Sequence, residues 1–262
     1  MRIDFFEEFP TDENLGKAAL LSFPSTIYIA APSFEQFLGY KNKLATINPH
    51  CEAGYWPTFA RSYWISPFSY PEEIDRLIAE LENYNGDEVL KVLIDLELPL
   101  LHKSLFIKNS LFFFQNKRKI KKLLSGNSTK KIVFYTAEYP PMGKMSRWLS
   151  RKLGISYTLQ QFNHIPIFMF YTSMIEQYGN NLHIDLSRHI NGYLTKNAKE
   201  IKNIQLGLGT IAQGILGTEP VLSPSKLEQD LGFLKSLKVE TAVIFRLGGL
   251  TKEYLDVILP YI

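Results

Sequence analysis

The sequence predicts an α/β protein, a (β/α)8 TIM barrel. Eight short runs rich in β-branched, aromatic and aliphatic residues alternate with amphipathic helical runs. This alternation predicts a parallel sheet, and eight repeats favour its closure into a barrel. The length of 262 residues fits one barrel, so we expect a single domain over residues 1–262.

Most of the predicted strands are bounded by Pro, Gly, Asn or Asp, which interrupt regular structure. No glycine-rich dinucleotide fingerprint follows the first strand, where the chain reads Glu7-Glu8-Phe9-Pro10. Its absence argues against the alternative fold, an open doubly wound sheet. The predicted strands are Ile3–Phe9, Thr26–Ala31, Ala45–Asn48, Val89–Glu97, Lys131–Tyr139, Ile167–Thr172, Ile204–Thr210 and Thr241–Leu247.

Three helical runs carry clear start signals. Pro71 with two following acids predicts a first turn ahead of Ile74, Leu77, Ile78 and Leu81 at helical spacing. Ser223-Pro224 predicts a second start, and Thr251 can cap the last helix. The basic run Lys117–Lys122 indicates either a solvated helix face or a surface for an anionic partner.

Composition limits the classes of function. The net charge of +3 is too small to imply a nucleic-acid partner, and the single cysteine, Cys51, excludes an intrachain disulfide. No stretch reaches the roughly 18 apolar residues of a membrane span, so no membrane partner is expected. The N-terminus has no apolar signal-peptide core, which makes the cytoplasm the default expectation, with secretion after removal of a leader as the alternative.

In this fold the active site lies at the C-terminal ends of the strands. The strongest signal there is Asp95-Leu96-Glu97, since alternating side chains place Asp95 and Glu97 on one face. Two buried acids are costly unless paired or solvated, and their repulsion raises one pKa, as a general acid requires. A structural role for the pair, bonded to Arg246 or capping the loop, is the alternative.

Two short motifs resemble chitinase-like glycoside hydrolases. Asp95-Leu96-Glu97 resembles the end of that family's acidic fourth strand, and Met169-Phe170-Tyr171 is similar to its Met-x-Tyr. The resemblance implies that Glu97 is the general acid, that Asp95 orients the substrate acetamido group, and that Tyr171 assists it. The sequence departs from the family at Leu93 and Lys91, where an aspartate and a glycine are usual, and at Phe245-Arg246, where a tryptophan is usual.

Other polar and aromatic residues complete the expected site. Glu138 on the fifth strand is the candidate second acid, and the aromatics expected in the loop after the third strand suit the apolar faces of sugar rings. Trp148, in a helical run, is expected to pack internally. The candidate substrate-binding residues are Glu7, His50, Glu52, Tyr55, Trp56, Trp64 and Arg246.

We therefore expect a carbohydrate or another small molecule as substrate, with no cofactor and no metal; the oligomeric state is open. A divalent cation on His50, Glu52 and Glu138 is a weaker alternative. A phosphate-ligand barrel of the isomerase or lyase type is another, because Gly248-Gly249 leads into the last helix beside Arg246. A non-catalytic sugar-binding barrel is the third.

Overall fold

Eight parallel strands close into a barrel in the order β1-β2-β3-β4-β5-β6-β7-β8, which confirms the predicted fold class. The computed structural model describes residues 1–125, 131–140, 144–157, 163–174, 188, 191–192 and 204–262. The strands are β1 (Arg2–Glu7), β2 (Ser25–Ala31), β3 (Cys51–Pro57), β4 (Leu90–Asp95), β5 (Ile132–Glu138), β6 (His164–Phe170), β7 (Gln205–Gly209) and β8 (Thr241–Phe245).

Helices connect the strands around the outside. Within the described ranges the α-helices are α1 (Asp12–Gly16), α2 (Phe34–Ile47), α3 (Pro71–Glu82), α4 (Leu105–Lys108), α5 (Phe113–Leu124), α6 (Lys144–Leu153), α7 (Pro224–Ser236) and α8 (Lys252–Ile258). Short 3-10 turns cover Lys17–Leu20, Leu100–His102, Ser110–Phe112, Leu247–Gly249 and Leu259–Tyr261. In the part of the chain described here, we find no helix that is both long and apolar enough to cross a membrane.

The positions of the three predicted helix starts are confirmed, but the cap predicted at Thr251 is wrong. Pro71 stands at the start of α3, and the Ser223 hydroxyl accepts a hydrogen bond from the backbone N–H of Lys226 at the start of α7. Thr251 precedes α8 in an extended conformation, although its side chain makes no capping bond.

Side chains alternate between two cores. One faces the helices and contains residues such as Phe5, Val92 and Leu208. The other fills the barrel interior with Phe6, Tyr28, Ala30, Trp56, Leu93, Tyr135, Ala137, Ile167, Met169, Val243 and Phe245. Every second residue of a strand therefore faces the lumen, and the residues between them face the helices. We call these two alternating sets the phases of a strand, and the phase of a polar residue decides whether it can reach a site at the mouth.

The predicted third strand is wrong. Ala45–Ile47 form the last turn of α2, and Asn48 ends that helix ahead of Pro49, a residue that disfavours helix in its predecessor. The true strand, β3, begins at Cys51 and contains Gly54. A Cβ on Gly54 would lie 2.6 Å from the Tyr28 ring, so the glycine leaves room for a large lumen side chain and interrupts the apolar pattern.

Candidate functional site

A cavity of about 650 Å³ opens at the C-terminal ends of the strands. Its base is the upper layer of the lumen core, including Phe6, Trp56, Ala137, Met169 and Phe245. Helix α6 lines one wall through Leu149 and Leu153, and the segment after β7 lines another through Ile215, Leu216 and Glu219. The walls are mainly apolar, so charges inside the cavity are poorly solvated.

Asp95 and Glu97 both line this cavity. Asp95 is the last residue of β4, and the backbone N–H of Leu96 still donates to the Ala137 carbonyl at 3.0 Å. The strand pairing therefore extends one residue further, which keeps Glu97 in the lumen phase of Asp95. The predicted shared face is thus observed.

The environment of this pair favours protonated carboxyl groups. Burial raises the pKa of Glu97 to about 7, against a hydrogen bond of 2.9 Å from the Tyr139 hydroxyl that lowers it. The pKa of Asp95 is well above its ordinary value because the group is buried and because Glu97 and Glu8 repel its charge. Within the described residues, Asp95 Oδ1 is buried without a hydrogen-bond partner.

Glu8 is a third carboxylate of the cavity, which the predicted site lacked. It accepts hydrogen bonds from the Tyr63 hydroxyl and from the backbone N–H of Ile215, at 2.5 and 2.9 Å. Burial raises its pKa to about 7. Strand alternation offered the signal, because Glu8 shares the phase of Phe6 in the lumen, whereas the predicted Glu7 has the opposite phase.

Tyr171 also lines the cavity, one residue beyond β6. Its pKa is raised well above the ordinary value by burial and by the charges of Asp95, Glu97 and Glu8. Tyr171 therefore lies in the field of all three carboxylates as a neutral phenol, which can donate a hydrogen bond to a ligand.

The aromatic residues divide between the two cores. Trp56 and Trp64 line the cavity, although Trp56 belongs to β3 and not to a loop. Tyr55 does not reach the cavity, since its ring packs on Phe37 and its hydroxyl donates to Glu80 at 3.0 Å. The expected internal packing of Trp148 is wrong, because 59% of that residue is exposed.

Glu138 does not join the other acids, contrary to the prediction of a second catalytic carboxylate. It lies on β5 in the phase that faces the helices, buried beside His164, and it accepts a 2.8 Å hydrogen bond from the Thr136 hydroxyl. The neighbouring Tyr139 occupies the lumen phase and bonds Glu97 instead. The alternation of side chains along β5 assigns Glu138 to the helix-facing phase and Tyr139 to the lumen phase.

His50 and Glu52 lie at the opposite end of the barrel, so their predicted place at the mouth is wrong. Both errors follow from the misplaced third strand, because β3 begins at Cys51, next to His50 and Glu52, and reaches the mouth only beyond Trp56. Glu52 pairs with Lys91 near the start of β4. A cation held jointly by His50, Glu52 and Glu138 is therefore excluded by their positions, and the described residues include no other cluster of three metal-binding side chains.

Glu7 and Arg246 form a structural pair beside the mouth. Glu7 is fully buried and accepts hydrogen bonds from Arg246 Nη1 at 3.2 Å and from the backbone N–H groups of Gly248 and Phe9 at 2.6 and 2.8 Å. Neither side chain lines the cavity. The Glu7 carboxylate thus occupies the anion position that the phosphate-ligand alternative required at Gly248.

Comparison with known proteins supports the fold. No protein-family model and no curated protein sequence matches this chain. Among solved structures, the PgaB (BpsB) glycoside hydrolase domain from Bordetella bronchiseptica has a TM-score of 0.54 at 12% identity, covering 97% of this chain and 95% of that one. Active domain 2 of a thermostable chitinase from Pyrococcus furiosus, solved with chito-oligosaccharides, has a TM-score of 0.54 at 11% identity, covering 99% and 94%.

A third similar structure has a different name. The xylose isomerase domain protein from Planctomyces limnophilus has a TM-score of 0.51 at 12% identity, covering 93% of this chain and 88% of that one. At these identities the likeness establishes the barrel architecture and leaves the chemistry to the residues of the site.

Proposed function

We propose that this chain is a glycoside hydrolase that binds a carbohydrate in the cavity, with Glu97 as the proton donor. The observation that carries the proposal is that Asp95 and Glu97 converge in one cavity while the pKa of Glu97 is raised to about 7. A carboxylic acid that keeps its proton near neutral pH can protonate the leaving oxygen of a glycosidic bond.

The neighbouring groups have distinct roles in this proposal. Asp95 is a positioning residue, because it lines the cavity in the same strand phase as Glu97. Tyr171 donates from its neutral hydroxyl to a polar group of the substrate. Glu8 takes the place of Glu138 as the candidate second carboxylate, because it lies in the cavity and Glu138 does not.

The walls of the cavity suit a sugar. Trp56 and Trp64 provide flat aromatic surfaces for the apolar faces of pyranose rings, and Ser146 and Ser150 on α6 provide hydroxyl groups. Two of the similar barrels are named as a glycoside hydrolase domain and as a chitinase domain, which supports a carbohydrate as the class of substrate.

The test is a panel of chromogenic glycosides, soluble chitin fragments and peptidoglycan fragments, assayed with the wild type, Glu97→Gln and Glu52→Gln. We expect hydrolysis of at least one glycan by the wild type and by Glu52→Gln, which alters a carboxylate at the far end of the barrel. If the wild type and both variants bind a glycan but none of the three hydrolyses it, the non-catalytic barrel is favoured instead.

A further inference from the structure

The charge of the chain is strongly segregated. Residues 98–175 contain 13 lysines and arginines and one acidic residue, Glu138, whereas the remainder contains 16 basic and 25 acidic residues. Glu138 is buried, so it does not offset the basic charge at the surface. The small net charge of the whole chain conceals this basic region.

Large apolar side chains project from the same region. The exposed fractions are 82% for Ile107, 89% for Leu111, 79% for Phe114, 82% for Met145 and 59% for Trp148. Five such residues on consecutive helices exceed the scattered exposure that is normal for a soluble surface.

Helical spacing places the basic and apolar side chains on shared faces. On α5, Phe114, Arg118 and Lys121 are four and three residues apart and all exposed, so they form one stripe. On α6, Met145, Trp148 and Lys152 form another, with the Lys152 ammonium 5.7 Å from the Trp148 ring centre.

The two helices are neighbours. Lys117 on α5 donates through its ammonium group to the backbone carbonyls of Arg151, at 2.9 Å, and Lys152, at 2.5 Å, on α6. We call the exposed apolar residues of this region, together with Arg118, Lys121, Lys122, Arg151 and Lys152, the α5–α6 surface. This surface reaches the cavity, because Leu149 is 49% exposed and also lines the cavity wall.

We propose that the α5–α6 surface binds the interface of an anionic lipid bilayer. Aromatic and aliphatic side chains enter the boundary between headgroups and acyl chains, and the flanking lysines and arginines contact anionic headgroups. Nucleic acid is a poorer fit, since Ile107, Leu111 and Met145 cannot stack on bases. The lack of a long apolar stretch argues against a membrane-spanning segment and does not bear on this peripheral mode of binding.

Trp148 provides a direct probe of binding. The chain has three tryptophans, and Trp56 and Trp64 are only 4% and 6% exposed. The full chain should be titrated with phosphatidylcholine vesicles and with vesicles containing about a third phosphatidylglycerol. We expect a blue shift of the tryptophan emission with the anionic vesicles only, and loss of that shift in Trp148→Phe, which binds the vesicles but lacks the reporter.

Sedimentation with the vesicles measures the partition coefficient independently. The double variant Phe114→Ser/Trp148→Ser should lower the partition coefficient at least about tenfold, and so should the double variant Lys121→Glu/Lys122→Glu. High salt should weaken binding by the wild type. The matched controls are Val89→Ser and Lys252→Glu, exposed residues outside the α5–α6 surface, which should bind as the wild type does.

Three outcomes would overturn the proposal. They are failure of the wild type to bind anionic vesicles, equal binding by Phe114→Ser/Trp148→Ser, and binding of a DNA duplex that is independent of both apolar residues and stronger than vesicle binding.

Discussion

The Tyr139 hydroxyl donates a 2.9 Å hydrogen bond to Oε2 of Glu97. This bond stabilises the ionised carboxylate, so it opposes the rise in the pKa of Glu97 that burial causes. Tyr63 bonds Glu8 in the same way, so each of these two cavity glutamates has its own tyrosine.

Tyr139→Phe should therefore raise the pKa of Glu97 above about 7. If Glu97 is the proton donor, the alkaline limb of kcat/KM should move to higher pH, because the acid keeps its proton longer. The measurement is the pH–rate profile on a glycan that the wild type cleaves. Tyr84→Phe, which removes a hydroxyl bonded at the exposed Glu88 carbonyl, is the control and should leave the limb in place.

Glu8 should make the fold less stable as the pH rises. Its pKa is raised from 4.5 to about 7 by burial, so its stabilising contribution is complete below about pH 4.5 and is lost as the pH rises through about 7. Between about pH 5 and about pH 8, Glu8→Gln should remove about 1 to 3 kcal/mol of this decline in the free energy of unfolding, measured by urea denaturation.

Glu52→Gln is the matched control for that titration. The pKa of Glu52 is lowered by Lys91, so its contribution changes only below about 4.5, outside the measured window. A decline that is equally steep in Glu8→Gln and in the wild type would contradict the assignment.

Gly214 separates two carboxylates and an aromatic ring. A Cβ at this position would lie 2.6 Å from Glu8 Oε2, 2.8 Å from Phe245 Cζ and 2.9 Å from Glu219 Oε1. Gly214→Ala should displace Glu8, lower any glycan affinity and destabilise the protein by about 1 to 2 kcal/mol. Gly39→Ala, at an open position in α2, should instead stabilise it by about 0.5 to 1 kcal/mol, and equal effects of the two would count against this packing.

Arg246→Ala should leave Glu7 as a buried carboxylate without its cation. We expect a loss of about 3 kcal/mol in the free energy of unfolding, because Glu7 is fully buried and Arg246 is 13% exposed. Phosphate or sulfate should not raise the Tm of the wild type, since Glu7 already accepts the Gly248 N–H. A marked rise in Tm with phosphate would restore the phosphate-ligand alternative.

The barrel and one acidic pair could be predicted from the sequence because both depend on local patterns. Seven of the eight predicted strands overlap the observed ones. The two-residue period of a strand is enough to predict that Asp95 and Glu97 lie on one face. The exception, Ala45–Asn48, is a short apolar run of a kind that occurs in helices as well as in strands. Gly54 interrupts the apolar pattern from which β3 could have been predicted.

The errors in the site have the same origin. The wrong third strand places His50 and Glu52 at the mouth, and Glu138 lies near a strand end but in the phase that faces the helices. Glu8 could have been found by alternation, but its bonds to Tyr63 and Ile215 join segments that are 55 and 207 residues apart. Contacts over such separations depend on the closure of the barrel, which no local pattern encodes.

The most direct test of the central claim is the pH dependence of kcat/KM for the wild type and Glu97→Gln on the same glycan. The account predicts an alkaline limb near pH 7 in the wild type, a loss of about 10²- to 10⁴-fold in Glu97→Gln, and disappearance of that limb in the variant, with the fold retained. Wild-type rates in Glu97→Gln, with the alkaline limb retained, would contradict the assignment of Glu97 as the proton donor.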